Sequence, residues 1–173
     1  SLRAPFAGEA GTPRGPLQRN PLKKSGNPVR FDRLPKKSVV ASLGGGPGFE
    51  GYVWKCFFER YFPENKFIFY VLDLETNWGE YVELWGPEIK FCQWDLTKWR
   101  SANIYKTIQQ PKIDFVIISN VLVMYMSNRS SYDFMAQLLE NKTQAILINS
   151  RSKSIEARQH MRERNVKTTS LLD

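Results

Sequence analysis

The sequence predicts an α/β fold in which helices cover both faces of a doubly wound, mostly parallel β-sheet. From Ser38 onward, short apolar runs alternate with stretches of helical periodicity, the pattern of strands joined by crossover helices. The runs are rich in the β-branched and aromatic residues that strands buried on both faces favour. Five strands are predicted, over residues 38–44, 66–74, 88–96, 114–122 and 144–150.

Helices are predicted between and after these strands. The stretch 49–62 has helical spacing of Tyr52, Val53, Cys56, Phe57 and Arg60. A short helix follows at 79–85, a third at 131–141 with a serine as its N-cap, and a basic helix at 153–164. The stretch 165–173 alternates enough to form a sixth strand, and no seventh strand is predicted after it.

Length and composition divide the chain into a basic arm and one globular domain. With 173 residues, 42% of them hydrophobic, the chain can form one domain with a substantial core, which we place at 38–173. Residues 1–37 hold six of the ten prolines and four of the eleven glycines, and are predicted to be largely irregular. This composition fits an arm around the domain, a linker or a degraded targeting peptide, and Val29–Leu34 is a candidate edge segment or lid.

Positive charge is concentrated towards the two ends of the chain. Residues 1–37 carry nine Lys and Arg against two acids, residues 38–149 ten against twelve, and residues 150–173 six against three. Such flanks indicate contact with RNA, DNA or an acidic protein, although a solubilising tail fits the arm equally well. The candidate nucleic-acid residues lie in the last helix, where a solvated face is the alternative: Arg151, Lys153, Arg158, Arg162 and Arg164. His160, between them, is predicted to face solvent.

Membrane and metal proteins are not expected. No apolar run approaches the ~20 residues that cross a bilayer. Cys56 and Cys92 lack any metal-ligand spacing and are predicted to be small buried hydrophobic side chains in a reducing, intracellular compartment.

The glycines of "SLGGGPGFEG" follow the first strand, where an open α/β sheet binds its ligand. A phosphate-binding loop is excluded, because Tyr52 and Val53 stand where its Lys and Ser/Thr are needed. A dinucleotide fingerprint does occur at Gly46, Gly48 and Gly51. It leaves Gly44 and Gly45 unexplained, so a nicotinamide dinucleotide is the third-ranked interpretation.

Four strand ends together resemble the class I S-adenosylmethionine-dependent methyltransferases. "VVASLGGGPG" is similar to the family's first motif, with glycines at Gly44, Gly46 and Gly48. The second strand ends in "VLDLE", the third in "QWDL", and the fourth, "DFVIISNVL", resembles the fourth motif. The resemblance covers about residues 38–173 and implies a Rossmann-like methyltransferase fold with S-adenosylmethionine as the cofactor.

The resemblance also implies a role for each strand end. Asp73 would accept hydrogen bonds from the ribose hydroxyls and Asp95 from the adenine amine, as ionised carboxylates do well. Glu75 is the rival of Asp73 for this role, because strand ends shift by a residue or two. Leu74 and Leu96 would flank the adenine. The glycine turn, Gly45 included, would face the methionine end together with Ser119 and Asn120. A positively charged sulfonium favours such a pocket without lysine, and methyl transfer by in-line displacement needs no metal.

Two departures keep a non-enzymatic interpretation open. Ser42 replaces the acid that many members have two residues before the first glycine, although Glu50 is a candidate substitute for it. The seventh strand of the family is also missing from the prediction. A catalytically inactive methyltransferase-like module in a ribonucleoprotein complex is therefore the second-ranked function.

The methyl acceptor is predicted less sharply than the donor. "SNVL" differs from the Asp/Asn-Pro-Pro-aromatic motif for base amines, and no Pro-Cys nucleophile is present. The basic flanks favour RNA or another anionic macromolecule. Asn120 and Tyr125 are the candidates for contact with the acceptor, whereas the tryptophans at 78, 85, 94 and 99 are assigned to the core more readily than to base stacking.

Overall fold

A computed structural model describes residues 34–119, 121, 125–126, 128–149, 154–165 and 167–168, with residues 154–157 as backbone alone. The strands are β1 Lys37–Leu43, β2 Lys66–Asp73, β3 Ile89–Gln93, β4 Phe115–Ser119 and β5 Ala145–Asn149. The helices are α1 Phe49–Tyr61, α2 Trp78–Glu83, α3 Ile104–Ile108, α4 Arg129–Glu140 and α5 Ser154–Glu163. A 3-10 turn at Leu96–Lys98 follows β3.

The five described strands form one parallel sheet in the order β3-β2-β1-β4-β5. β1 lies at the centre, so Ser42 pairs with Val71 of β2 on one side and with Ile117 of β4 on the other. The chain leaves β1 towards β2 but reaches β4 only after β3. The carboxyl ends of β1 and β4 therefore form the topological switch point, where sheets of this kind bind ligands. The predicted α/β fold with a parallel sheet is confirmed.

Alternate residues of β1 serve two separate cores. Val39, Ala41 and Leu43 pack under α3 and α4, in a core that continues through Trp94 and Phe134. Val40 faces the other way, into a smaller core with Phe69 and Val82, on which α1 places Trp54. Each fully buried aliphatic or aromatic side chain contributes ~1.5–3 kcal/mol, so the two cores hold the sheet between its helix layers.

The amino edge of the sheet is held together by Asp114, which is 1% exposed. Its carboxylate accepts hydrogen bonds from the Val39 N–H at 2.8 Å, the Lys112 ammonium at 2.7 Å and the Gln144 amide at 3.3 Å. These donors precede or open β1, β4 and β5, so one buried carboxylate ties the starts of three strands. Asp114 therefore lies at the opposite edge from the switch point.

Helix α1 buries a different face from the one that the predicted spacing marked. Gly51 and Phe58 are buried and Trp54 packs on the sheet, whereas Tyr52, Val53, Cys56 and Arg60 are exposed. The prediction that Cys56 is buried is wrong, and Cys92 is only half-buried. The aromatic rings of Trp54 and Phe58, on the other side of the helix, pack against the sheet instead.

Other predicted details also differ. The N-cap of α4 is Asn128, whose side chain accepts a hydrogen bond from the Ser131 N–H, so the helix begins at Arg129. Helix α3 and the 3-10 turn were not predicted, because each is a single turn or little more. The predicted sixth strand lies mostly outside the described residues, as does Val29–Leu34 except for Leu34. No helix within the described part of the chain is long and apolar enough to cross a membrane.

Candidate functional site

The turn between β1 and α1 depends on its glycines. Gly44, Gly46 and Gly48 have φ angles of 64°, 51° and 82°, a region that side chains disfavour by about 1–2 kcal/mol per residue. The N–H groups of Gly44 and Gly45 both donate to the Leu72 carbonyl of β2, at 2.8 and 3.3 Å. The turn is thereby held directly over the carboxyl end of the central strands.

The glycines of this turn differ in what surrounds them. A Cβ on Gly46 would have no atom of the described residues within 4 Å, whereas one on Gly45 would lie 2.8 Å from the Ser42 hydroxyl and 2.9 Å from the Val71 side chain. A Cβ on Gly48 would approach Val82 at 3.1 Å, and one on Gly44 would collide with Val121. Gly46 therefore presents bare main chain to space, and the other three leave room for neighbouring side chains.

Asp73 ends β2 and fastens the turn from the side. Its Oδ2 accepts a hydrogen bond from the Gly46 N–H at 2.9 Å, and its Oδ1 accepts one from the Glu75 N–H at 3.0 Å. Each carboxylate oxygen has a second lone pair, so the half-buried group can accept two further hydrogen bonds. The structure thus brings the predicted ribose acceptor into contact with the glycine turn.

Asp95 stands beside Asp73, after the adjacent strand. The Trp94 N–H donates to the Asp73 carbonyl at 2.9 Å, which fixes the two strand ends to one another. The Asp95 Oδ1 accepts from the hydroxyl and the N–H of Thr97, at 2.6 and 2.9 Å, and Lys98 lies 3.3 Å from its Oδ2. Hydrogen bonds from the Thr97 hydroxyl and N–H lower the pKa of Asp95, with a smaller contribution from Lys98. Asp95 therefore caps the 3-10 turn as an ionised carboxylate.

The remaining predicted cofactor residues line the same edge with different exposure. Leu74 is 59% exposed next to Asp73, whereas Leu96 is half-buried and packs against the larger core. Ser119 ends β4 and is half-buried. Tyr125 is 51% exposed, and Asn120 lies outside the described residues.

The start of α1 is acidic. Glu50 is half-buried in the first turn of the helix, and residues 38–54 contain no Lys or Arg. The first cation, Lys55, lies 2.6 Å from Glu88 and also donates to the Trp85 carbonyl at 3.1 Å. Its hydrogen bond with Glu88 raises the pKa of Lys55 and outweighs the opposing effect of desolvation. Both partners of this ammonium group lie in the connection between α2 and β3.

Trp85 is a site residue that the sequence did not reveal. Its indole N–H donates to the Pro47 carbonyl at 2.8 Å, and its ring lies 5.9 Å from Phe49 and 4.9 Å from Tyr52. Trp85 therefore braces the glycine turn from the side of α2. No local signal could have indicated a contact between residues 38 positions apart.

Ser42 is fully buried on β1, and its hydroxyl has no hydrogen-bond partner among the described residues. The hydroxyl lies against Gly45 and points into the packed interior beneath the turn. A buried hydroxyl without a partner is destabilising by about 1–3 kcal/mol. The side chain at this position is thus separated from the open space above Gly46.

The predicted nucleic-acid residues have local partners where they are described. Arg162 donates to the Thr168 hydroxyl at 3.2 Å, and Arg164 lies 3.5 Å from Asp133 of α4. His160 also contacts Asp133, at 3.3 Å, and its side chain is 12% exposed, so the prediction that it faces solvent is wrong. Arg158 is half-buried, and Arg151 and Lys153 lie outside the described residues.

Among the residues that the structure describes, no group of three or more His, Cys, Asp or Glu side chains could hold a metal ion.

Comparison with known proteins finds similarity by structure alone. Neither a protein-family model nor a curated protein sequence matches the chain. A TehB-like SAM-dependent methyltransferase from Corynebacterium glutamicum superposes with a TM-score of 0.50 at 12% identity, over 75% of this chain and 66% of that one. The DszA carbon methyltransferase matches with a TM-score of 0.49 at 15% identity, over 78% and 34%. A short chain dehydrogenase/reductase family protein matches with a TM-score of 0.41 at 13% identity, over 64% and 54%.

The match with the first of these spans just under two thirds of its length, and the match with the DszA enzyme about a third. At identities this low, the superposition with the first of these shows a shared fold alone. The five parallel strands in the order β3-β2-β1-β4-β5, with helices on both faces, are therefore a Rossmann-like methyltransferase fold.

Proposed function

We propose that the chain binds S-adenosylmethionine at the carboxyl edge of β1, β2 and β3 and transfers its methyl group. The observation that carries this proposal is the hydrogen bond between the Gly46 N–H and Asp73. It places a carboxylate with free acceptor capacity beside a stretch of main chain that has open space above it. A nucleoside that bears an amino-acid tail needs both features.

The residues present fit this cofactor part by part. Asp73 would accept hydrogen bonds from the two ribose hydroxyls. Asp95 would accept one from the adenine amine through the lone pairs that Thr97 leaves free. The exposed Leu74 and the half-buried Leu96 supply apolar contact for the adenine ring. Gly44, Gly45, Gly46 and Gly48, with Ser119 and Asn120, would hold the methionine end.

The charge of the site favours a cationic ligand over a dinucleotide. A pyrophosphate on the N-terminus of α1 would meet Glu50, and residues 38–54 offer no Lys or Arg to it. The sulfonium and ammonium groups of S-adenosylmethionine would instead meet Glu50, while Asp73 at the ribose adds negative charge to the same site. We therefore rank a nicotinamide dinucleotide below S-adenosylmethionine.

The cofactor, when bound, would supply an activated methyl group: an acceptor would attack the methyl carbon in line while the carbon–sulfur bond breaks and the sulfur leaves as a neutral thioether. The chain contributes binding and orientation. Trp85 and Asp73 hold the turn from two sides, so the main chain at Gly46 is fixed before any ligand arrives. Asn120 and Tyr125 remain our candidates for contact with the acceptor, because they follow β4 at the switch point.

We further propose RNA or another anionic macromolecule as the acceptor. Support comes from the excess of Lys and Arg in residues 1–37 and 150–173 and from the exposure of Arg162 and Arg164. Both arginines carry only local, partly exposed contacts, which a phosphate could replace. The affinity of the C-terminal cations for such an acceptor would then fall steeply as the salt concentration rises.

Calorimetric titration of the full chain with S-adenosylmethionine tests the donor site. We expect micromolar binding that is lost in Asp73→Ala. Glu75→Ala is the matched control, since Glu75 is an exposed acid two residues away whose own side chain accepts only from Asn77. Absence of heat and of any thermal shift with the unaltered chain would refute the proposal, and NAD binding in its place would restore the dinucleotide interpretation.

Ser42 favours a second candidate, a methyltransferase-like module that binds partners without catalysis. The hydroxyl is buried against Gly45 and carries no charge, so this position supplies no carboxylate to the methionine end. The two candidates differ in one measurement. A module would give salt-dependent RNA or protein binding without methyl transfer from a labelled donor, whereas an enzyme would give both.

A further inference from the structure

An apolar surface lies exposed where α1 meets α2. It consists of Phe49, Tyr52, Val53 and Cys56 of α1 with Leu84 and Trp85 just beyond α2, and we call it the α1–α2 face. Phe49 is 61% exposed, Val53 65% and Leu84 78%. Trp85 joins the two helices, because its ring contacts Phe49 and Tyr52. Single exposed apolar residues are ordinary, but a contiguous set indicates an interaction site.

The stripe on α1 is additional to the face that the helix already buries. Residues 49, 52, 53 and 56 follow the i, i+3, i+4, i+7 spacing of one helix face. The opposite side of the helix is the one that packs on the sheet, through Trp54 and Phe58. Helix α1 is therefore apolar on two sides while it contacts the sheet with one of them.

Charge selects the occupant of the α1–α2 face. Residues 49–88 carry eight Asp and Glu against three Lys and Arg, and one of these cations, Lys55, is paired with Glu88. A second copy of the same face would bring like charges together, which opposes association. Residues 1–33 carry seven Lys and Arg against two acids, with apolar residues at Leu17, Leu22, Val29 and Phe31 among them. This segment has the complementary charge and the apolar side chains to cover the stripe.

The described part of the chain begins next to helix α1, within reach of the α1–α2 face. Leu34 packs into the smaller core with Trp54 and Phe67. The Pro35 carbonyl accepts a hydrogen bond from the Asn65 side chain at 3.0 Å, close to the C-terminal end of α1. Helix α1 has 13 residues and is ~20 Å long, a length that about six extended residues cover. Residues 1–33 are thus long enough to reach every part of the α1–α2 face.

We propose that residues 1–33 bind the α1–α2 face of their own chain, with their cations beside its acids and their apolar residues over Tyr52 and Val53. The bound segment would lie next to the glycine turn, because Phe49 follows Gly48 and Trp85 holds Pro47. The inference rests on the surface itself and holds whichever ligand the turn binds.

The exposed thiol of Cys56 provides a probe on this face, at the C-terminal end of its α1 stripe. In the full chain with Cys92→Ser, the rate of labelling by uncharged N-ethylmaleimide reports how often the segment leaves the face. We expect Arg19→Glu, Lys23→Glu and Lys24→Glu together to accelerate labelling about tenfold or more, and about 1 M salt to act likewise. Lys106→Glu, Lys142→Glu and Lys167→Glu together are the matched control, since these cations are exposed elsewhere, and they should leave the rate unchanged.

A charge exchange separates docking from a general effect of charge. Glu59→Lys with Glu83→Lys should also accelerate labelling, and the combination with the three segment variants should restore the slow rate. Rates measured across pH separate access from ionisation of the thiol. Equal labelling in all variants would overturn the proposal. Protection that rises with protein concentration would overturn it as well, because the segment would then come from a second copy.

Discussion

The two edges of the sheet use the same residue type for opposite purposes. At the amino edge, Asp114 is 1% exposed and its carboxylate accepts from three donors, including the N–H of Val39. At the carboxyl edge, Asp73 is half-buried and accepts from two main-chain N–H groups, those of Gly46 and Glu75. The first carboxylate is committed to the fold, whereas the second organises a turn and keeps acceptor capacity for a ligand.

This difference shows how the proposed binding site is built into the fold at modest cost. Removal of Asp114 leaves the buried N–H of Val39 without an acceptor, and water cannot reach this N–H to take the place of the carboxylate. Removal of Asp73 frees donors that solvent can reach. The variants below follow this contrast from the largest expected effect to the smallest.

Asp114→Ala should give the largest loss of stability. The Val39 N–H would lose its acceptor in the core, and Lys112 and Gln144 would lose theirs at the edge, so we expect the free energy of unfolding to fall by about 3 kcal/mol. Urea denaturation followed by circular dichroism measures this. Asp114→Asn keeps an acceptor for Val39 and should lose about 1 kcal/mol. A loss for Asp114→Ala as small as that for Asp114→Asn would contradict the assigned role.

Gly45→Ala should have the next largest effect, through packing. The new methyl group would lie 2.8 Å from the Ser42 hydroxyl and 2.9 Å from Val71, and overpacking of this kind costs about 2 kcal/mol. Gly46→Ala, with open space but φ of 51°, should cost about 1 kcal/mol through backbone strain alone. Thermal unfolding compares the two, and Ser42→Gly should relieve Gly45→Ala but not Gly46→Ala. Relief of neither variant would mean that the contact with the Ser42 hydroxyl does not cause the loss at Gly45.

The strands could be predicted because buried parallel strands consist of apolar, β-branched and aromatic residues wherever they occur. Their ends were harder to place: β3 was predicted to reach residue 96 but ends at Gln93. There the Trp94 N–H turns to the Asp73 carbonyl, and Asp95 caps the 3-10 turn. Helix α3 was missed, although Asn103 as a cap and the spacing of Ile104 and Ile108 were readable signals.

The candidate site was predictable only in part. Asp73 and Asp95 were identified because acids lie at the ends of two predicted strands, and the resemblance named their roles. The contact between Asp73 and Gly46 spans 27 residues, and the contact between Trp85 and Pro47 spans 38. Such pairs depend on how helices settle on the sheet, which local sequence does not encode. The exposure of Cys56 and the low exposure of His160 depend in the same way on which helix face packs against the rest of the protein.

Asp73→Ala should have a smaller effect on stability than either change above. The Gly46 N–H lies at a partly exposed edge, so we expect a loss of about 1 kcal/mol, against about 3 kcal/mol for Asp114→Ala. Ligand binding should show the reverse order, with Asp73→Ala abolishing binding and Asp114→Asn leaving it intact. Denaturation and calorimetry on the same three proteins test this reversal. Equal stability losses at both edges would remove the contrast between them.

The smallest expected effect is a change in titration at Asp95. Hydrogen bonds from the Thr97 hydroxyl and N–H hold the pKa of this carboxyl below its unfolded value. The stabilisation is therefore present above the unfolded pKa and is lost as the pH falls through the folded one. Thr97→Val removes the hydroxyl donor and should raise the Asp95 pKa, as measured by NMR titration of the carboxyl carbon. Lys98→Ala should raise it less, because the Lys98 side chain is 70% exposed and its charge is screened by water. A larger shift from Lys98→Ala than from Thr97→Val would show that charge, rather than the capping hydrogen bonds, keeps this carboxylate ionised beside Asp73.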